Sequence, residues 1–172
     1  MEKFIFAENQ RFTRGFPFII IIAVNFIFLF GLYYQIIEGH SFGNHPHSNK
    51  GLILIYVFIL VLTIFLTLLV RLETRISHEG VYVRFYPFQQ KFKSYSWSRI
   101  SNAFVRTYNP LKEYGGWGFR LSLYKSGKAY NVSCNNGLQI ILSDGSKILI
   151  GTRKEQELIE TLKIITMPAK TV

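Results

Sequence analysis

Two uncharged stretches near the N-terminus constrain this chain more than any other feature of its sequence. Residues 16–37 read FPFIIIIAVNFIFLFGLYYQII, and residues 51–70 read GLILIYVFILVLTIFLTLLV. At about 1.5 Å per residue, helices of these lengths span roughly 30 Å, which is the thickness of the hydrocarbon core of a bilayer. The sequence therefore predicts two transmembrane helices, at about 16–37 and 51–70, joined by a loop at 38–50.

The basic residues around these stretches predict their orientation. The loop contains only Lys50. The basic residues on the two outer flanks are Lys3, Arg11, Arg14, Arg71 and Arg75. Because short segments rich in Lys and Arg stay in the cytoplasm, we expect both termini to be cytoplasmic and the loop to be external. The first stretch is longer than the apolar region of a signal peptide and lacks a small-residue cleavage site, so we expect it to remain in the mature protein.

Asn25 is the one strongly polar side chain well inside the first predicted helix. Its depth, counted from the cytoplasmic end, matches that of Thr63 in the second helix. An amide without a partner is costly in lipid. We therefore expect Asn25 to face Thr63 or a neighbouring subunit.

Residues capable of binding metal or acting as nucleophiles are few and scattered. The predicted external loop contains His40, His45 and His47, which could bind a transition metal, but the surrounding Ser, Gly, Asn and Pro are ordinary turn residues. Cys134 is the single cysteine and lies in a turn-like segment. We expect no metal, no cofactor and no enzymatic activity, because no nucleophile elbow, phosphate loop or dinucleotide fingerprint is present.

From residue 71 onward, the apolar pattern alternates as in strands, and a helical pattern follows. The sequence predicts strands at 71–77, 81–86, 91–97, 100–108, 119–125, 128–133, 137–143 and 147–151. A capping box of Thr152 and Glu155 would begin a C-terminal helix at about 153–166. Seven or eight antiparallel strands in a curved sheet or partly open barrel, capped by that helix, make the pleckstrin-homology (PH) architecture, although periodicity alone also allows another small barrel. The predicted domains are thus 1–70, an N-terminal tail with a membrane hairpin, and 71–172, a cytoplasmic β domain.

The chain resembles bacterial PH-like membrane proteins over about residues 71–165. The resemblance is carried by six short blocks: 72–76 (LETRI), 96–100 (SWSRI), 114–120 (YGGWGFR), 129–132 (AYNV), 136–139 (NGLQ) and 149–152 (LIGT). The third block is the most distinctive and resembles a subgroup of bacterial members with a GGWGxR motif. The resemblance implies a PH-like fold and a location in the bacterial inner membrane.

The predicted β domain is strongly basic. From Arg71 onward the chain has 16 Lys or Arg against 7 Asp or Glu. Phosphoinositide-binding PH domains carry a basic cluster in the first hairpin loop, but here that loop, Ser77–Gly80, has no Lys or Arg. The basic residues expected to form one face are instead Arg84, Lys91, Lys93 and Arg99. They could meet anionic lipid headgroups, or they could be solvated charges that mark the cytoplasmic side. Since membrane attachment already accounts for the charge, we expect no nucleic-acid partner.

The segment around the glycine motif is the second candidate site. Its candidate interaction residues are Tyr114, Gly115, Gly116, Trp117, Gly118 and Arg120. One interpretation is a structural turn, with Trp117 packed on the domain and Arg120 paired with Glu113. The other is a recognition loop, because Trp and Arg are enriched at binding hot spots.

The sequence therefore predicts a membrane-anchored binding or scaffolding module. Its expected partner is another membrane protein or a second copy of the chain. The alternative is a sensor of anionic lipid headgroups that uses the basic face.

Overall fold

The computed structural model describes residues 4–44, 47–121 and 127–166. The chain divides into two compact units. One is helical and covers Phe12–Leu69, and the other joins Met1–Arg11 to Val70–Val172. The N-terminal segment was predicted to belong with the hairpin, so its place in the β domain corrects that boundary.

The helical unit consists of two helices that are long and apolar enough to cross a membrane, as the sequence predicts. Helix α1 covers Phe16–Ile37 and α2 covers Asn49–Leu69, and each ends in a π-helical turn. In their most apolar 18-residue windows, only 11% and 6% of the residues are buried. A core helix of a soluble protein would bury most of its apolar face.

Polar contacts tie the two helices together at two levels. The Asn25 Nδ2 donates to the Thr63 Oγ1 over 2.8 Å, so the structure brings together the two residues that sequence depth had matched. Near the connecting loop, the Gln35 Nε2 donates to the His47 carbonyl and to the Asn49 Oδ1, over 2.8 and 2.9 Å. Ser48 caps α2 by accepting from the Gly51 amide. Polar contacts between helices fix the register of two otherwise apolar helices.

The described residues of the β domain form nine strands in two sheets. The first sheet has the order β1-β2-β3-β4, and the second has the order β5-β8-β9-β7-β6. The strands are β1 Phe6–Arg11, β2 Arg71–Ile76, β3 Gly80–Tyr86, β4 Lys93–Ser96, β5 Ile100–Thr107, β6 Gly118–Leu121, β7 Lys128–Asn131, β8 Asn136–Leu142 and β9 Lys147–Thr152. A short helix, α3 Pro110–Tyr114, lies between β5 and β6.

The arrangement of the strands differs from the expected one in two ways. The sheets do not close into a barrel, and β7 pairs with β9 in parallel rather than antiparallel. The predicted hairpins remain: β6 pairs with β7, and β8 pairs with β9, both antiparallel. The predicted continuation of β6 beyond Leu121 and most of its turn lie outside the described residues.

Strand β1 was not predicted, and polar side chains explain why. It pairs with β2 from Phe6 opposite Ile76 to Arg11 opposite Arg71. Its inward residues are Phe6, Glu8 and Gln10, so two of the three buried side chains are polar. An apolar–polar alternation, which is the usual strand signal, is therefore absent.

The buried polar side chains of β1 are hydrogen-bonded to the end of β9. The Glu8 carboxylate accepts from the Thr152 Oγ1 over 2.6 Å and from the Arg153 amide over 2.8 Å. The Gln10 Nε2 donates to the Gly151 carbonyl over 2.7 Å. These contacts join the first sheet to the second and satisfy groups whose burial would otherwise be unfavourable.

The C-terminal helix, α4 Glu155–Thr166, packs against β1 of one sheet and against β5 and β8 of the other. Leu158 and Leu162 are its buried anchors. The predicted capping box is wrong. Thr152 is the last residue of β9 and donates to Glu8, while the Glu155 carboxylate accepts from the Asn136 side chain.

Replacing Phe6 tests whether β1 is part of the β domain. Phe6 is 1% exposed, so we expect Phe6→Ala to lower the free energy of unfolding by about 3–5 kcal/mol. Both tryptophans, Trp97 and Trp117, lie in the β domain, so their fluorescence during urea unfolding of the full chain in detergent reports on this unit alone. The matched control is Asn9→Ala, at an exposed position of the same strand. Equal urea midpoints for the two variants would contradict the assignment.

Candidate functional site

The glycine motif follows a short helix that the sequence did not predict. Asn109 caps α3 by accepting from the Leu111 and Lys112 amides over 3.1 and 3.0 Å, and Pro110 is the first helical residue. Gly115 ends the helix with φ of +70°, a left-handed conformation that favours glycine. The Asn-Pro start and the Gly end are recognisable helix signals, but the helix is only one turn long, so no apolar period accompanies them.

Tyr114 packs mostly into the interior of the domain. Its side chain is 4% exposed. Its ring meets that of Tyr108 edge-on, with 6.2 Å between centroids. Tyr114 is therefore a largely buried member of the candidate interaction loop, and its role in recognition stays a prediction.

Glu113 is paired, but with Arg106 instead of the expected Arg120. The Arg106 Nη2 donates to the Glu113 Oε2 over 2.7 Å, and the Glu113 Oε1 accepts from the Asn109 amide over 2.8 Å. The hydrogen bond from Arg106 holds the pKa of Glu113 below its ordinary value and raises the pKa of Arg106. The sequence alone did not distinguish the two arginines, because Arg106 and Arg120 are each seven residues from Glu113. The structure shows that Arg106, on β5, is the one that reaches it.

The glycines beyond Gly115 set a fixed turn. Gly116 and Gly118 have φ of +127° and +110°, where residues with a side chain are strained. The Gly118 amide donates to the buried Asn131 side chain over 2.8 Å, and the Arg120 Nε donates to the Trp117 carbonyl over 3.0 Å. Trp117 is half-buried. A structural turn, the first of the two interpretations of the motif, thus accounts for its backbone conformation.

The fixed turn leaves an exposed surface beside it, which we term the turn patch. It is lined by Leu111, Lys112, Glu113, Tyr114, Gly115, Phe119, Arg120 and Leu121. Leu111 and Leu121 are 56% and 63% exposed. Of the candidate loop residues, Tyr114, Gly115 and Arg120 line this patch. Leu111, Phe119 and Leu121 were missed, although Phe119 and Leu121 share one face of a strand, as their spacing of two residues allows.

The predicted basic face separates into residues with different roles. Arg84 is bound to the Glu73 carboxylate over 2.7 Å and stacks on the Phe92 ring at 4.4 Å, so it stabilises the first sheet. Glu73 is also paired with Arg71 over 2.7 Å. Lys91 is exposed. Arg84 is therefore not available as a lipid-facing residue.

Lys93 and Arg99 lie at a cavity of about 460 Å³, which we term the basic cavity. Lys128 and Lys147 line it as well. The sequence did not predict these two lysines as site residues, because they come from strands β7 and β9, whose parallel pairing has no local signal.

The remaining candidate groups, Cys134 and the loop histidines, belong to different units of the chain. Burial raises the pKa of the Cys134 thiol, which donates to the Gln10 Oε1 over 3.5 Å. The His40 ring lies 5.1 Å from the Tyr34 ring, and His45 lies outside the described residues. Within the described part of the chain, no three His, Cys, Asp or Glu side chains are placed to hold a metal ion.

Comparison with known proteins gives no match to a family model, to a curated protein or to a solved structure.

Acidification tests the Arg106–Glu113 pair. Because the pKa of Glu113 is lowered in the folded state, its contribution is fully present above the ordinary Glu pKa of about 4.3 and is lost as the pH falls. We expect Glu113→Gln to lower the free energy of unfolding by about 1 kcal/mol at pH 7, and the difference from wild type to shrink below about pH 4. Urea midpoints measured by tryptophan fluorescence give both values. Glu160→Gln, at an exposed site, is the control, and a loss that is independent of pH would contradict the ion pair.

Proposed function

We propose that the protein is a multi-pass protein of the bacterial inner membrane that holds a PH-like β domain at the cytoplasmic face as a binding or scaffolding module. The observation that carries the membrane location is the pair of helices of 22 and 21 residues whose side chains are almost all unburied. Apolar surface of this extent is unfavourable in water and favourable in lipid.

The position of β1 supports a resident first helix rather than a removable signal sequence. The strand that precedes α1 pairs with the strand that follows α2. Cleavage after α1 would remove an edge strand together with Phe6, Glu8 and Gln10, which are buried in the β domain. The helices are therefore an insertion between two paired strands.

The flanking charges support the cytoplasmic placement of both termini. Arg11 and Arg14 lie before α1, Arg71 and Arg75 lie after α2, and the connecting loop has only Lys50. This asymmetry is typical of segments that remain inside.

Cysteine labelling tests the proposed orientation. In a Cys134→Ser background, we expect a membrane-impermeant maleimide to label Ser41→Cys in intact spheroplasts, because the loop is external and Ser41 is exposed. Lys91→Cys, at an exposed site in the β domain, should be labelled only after the membrane is opened. Labelling of Lys91→Cys but not of Ser41→Cys in intact spheroplasts would overturn the orientation. Labelling of both sites in intact spheroplasts would show that the membrane does not separate them and would overturn the proposed topology.

The turn patch is the surface that we propose for a protein partner. Three apolar side chains, Leu111, Phe119 and Leu121, lie beside the cations Lys112 and Arg120. The Glu113 carboxylate also lines the patch, but it is paired with Arg106, so Lys112 and Arg120 leave the rim positive. An apolar centre with a charged rim is the usual anatomy of a protein interface.

The charge of the rim favours a different membrane protein over a second copy of the chain. A symmetric dimer through the turn patch would bring Lys112 and Arg120 against the same residues of the other copy. Like charges at an interface oppose association. We therefore propose a membrane protein whose cytoplasmic segment presents apolar side chains with an acidic rim.

Photocrosslinking tests the turn patch. With p-benzoylphenylalanine at Leu121, we expect a discrete adduct with a membrane protein in the native membranes, and we expect Arg120→Glu to abolish it through charge repulsion. Lys163→Glu is the matched charge reversal away from the patch and should leave the adduct in place. Absence of an adduct, or an adduct indifferent to Arg120→Glu, would overturn the proposal. An adduct between two copies of the chain would overturn the choice of partner.

The second candidate function is recognition of anionic lipid headgroups. The observation that favours it is that Lys93 and Arg99, from the predicted basic face, line the same cavity. This function uses another part of the β domain and is independent of the turn patch.

A further inference from the structure

The basic cavity gathers four cations from four separate segments of the β domain. Lys93 lies on β4, Arg99 in the turn that follows it, Lys128 at the start of β7, and Lys147 at the start of β9. All four side chains are exposed at the cavity. Residues so far apart in sequence meet only because the two sheets approach one another here.

The negative charge at the cavity is much smaller. Among the described residues that line it, Asp144 is the one acid. The Asp144 Oδ1 accepts from the Ser146 amide over 2.8 Å, within its own turn. In the described part of the chain, none of the four cations forms an ion pair with a carboxylate within 4.0 Å. Since like charges repel, an anion in the cavity would stabilise this grouping.

The backbone at the cavity permits a close approach of strands. Gly127 has φ of +83°, and a Cβ added there would lie 2.0 Å from the Lys147 carbonyl oxygen. The next residue, Lys128, pairs in parallel with Ile148, which places Lys128 beside Lys147. Gly127 therefore allows the two chain segments to approach closely at the cavity that Lys128 and Lys147 both line.

We propose that the basic cavity binds a phosphate group carrying two or more negative charges, attached to a small polar moiety. Four cationic donors from different directions suit the tetrahedral oxygens of a phosphate, and charge-assisted hydrogen bonds to phosphate are strong. A volume of about 460 Å³ exceeds a bare phosphate and falls in the usual range for small-molecule sites. The phosphate could belong to a lipid headgroup or to a soluble phosphate compound.

The site is distinct from the first hairpin loop that phosphoinositide-binding PH domains use. No residue of 77–80 lines the basic cavity. If the phosphate belongs to a lipid, the inference rests on the second proposed function and specifies its binding site. It does not depend on the turn patch or its partner.

Binding of pyrophosphate to the full chain in nanodiscs of pure phosphatidylcholine tests the proposal. We expect the double variant Lys128→Gln, Lys147→Gln to weaken pyrophosphate binding at least about tenfold in a calorimetric titration, because two charge-assisted contacts are lost. The matched control is Lys50→Gln, Lys163→Gln, which removes two exposed cations outside the cavity and should keep the affinity within about twofold. If the double variant fails to fold, as judged by its tryptophan unfolding curve, Arg99→Gln gives the same test. Equal weakening in the cavity and control variants would overturn the proposal.

Vesicle flotation distinguishes the two sources of phosphate. The same nanodiscs are floated with vesicles of phosphatidylcholine alone or with one fifth phosphatidic acid. Flotation that requires phosphatidic acid and is lost in the cavity variants supports the lipid source. Pyrophosphate binding with no such flotation supports a soluble phosphate. Flotation that persists in the cavity variants would support lipid binding but overturn the basic cavity as its site. If the wild type neither binds pyrophosphate nor floats with phosphatidic acid, the inference is overturned.

Discussion

The pairing of β1 with β2 is the constraint on which the rest of the structure depends. The chain leaves the first sheet at Arg11 and returns to it at the partner position, Arg71, after two apolar helices. Both ends of the helical segment must therefore lie within a few residues of the same end of one strand pair.

The same strand also unites the two sheets of the β domain. The face of β1 that points inward carries Glu8 and Gln10, and their hydrogen bonds end on residues 151–153, at the end of β9 in the second sheet. Helix α4 then packs across both sheets. The two sheets are not joined into a closed barrel by strand pairing. Contacts made by β1 and α4 connect them instead.

Features that depend on the local sequence were predicted, whereas features that depend on contacts between residues far apart in the sequence were not. The helices and strands β2–β9 were predictable because uncharged runs and alternation are local signals. Strand β1 was not, since its buried face is mostly polar and is satisfied by residues more than 140 positions away. The parallel pairing of β7 with β9 has no local signal either. At the candidate sites, charge alone could not separate Arg84, which is bound to Glu73, from Lys93 and Arg99, which line a cavity. Within the glycine motif, composition identified a special turn but not the burial of Tyr114.

The polar face of β1 has a consequence for the order of events during synthesis. This strand is synthesised before its hydrogen-bonding partners, Gly151, Thr152 and Arg153, which follow more than 140 positions later. Contacts so distant along the chain form slowly because a long loop must close first. The β domain therefore completes its fold only after both helices have been made. Until then, β1 can pair with β2, but its inward polar side chains lack their partners at 151–153.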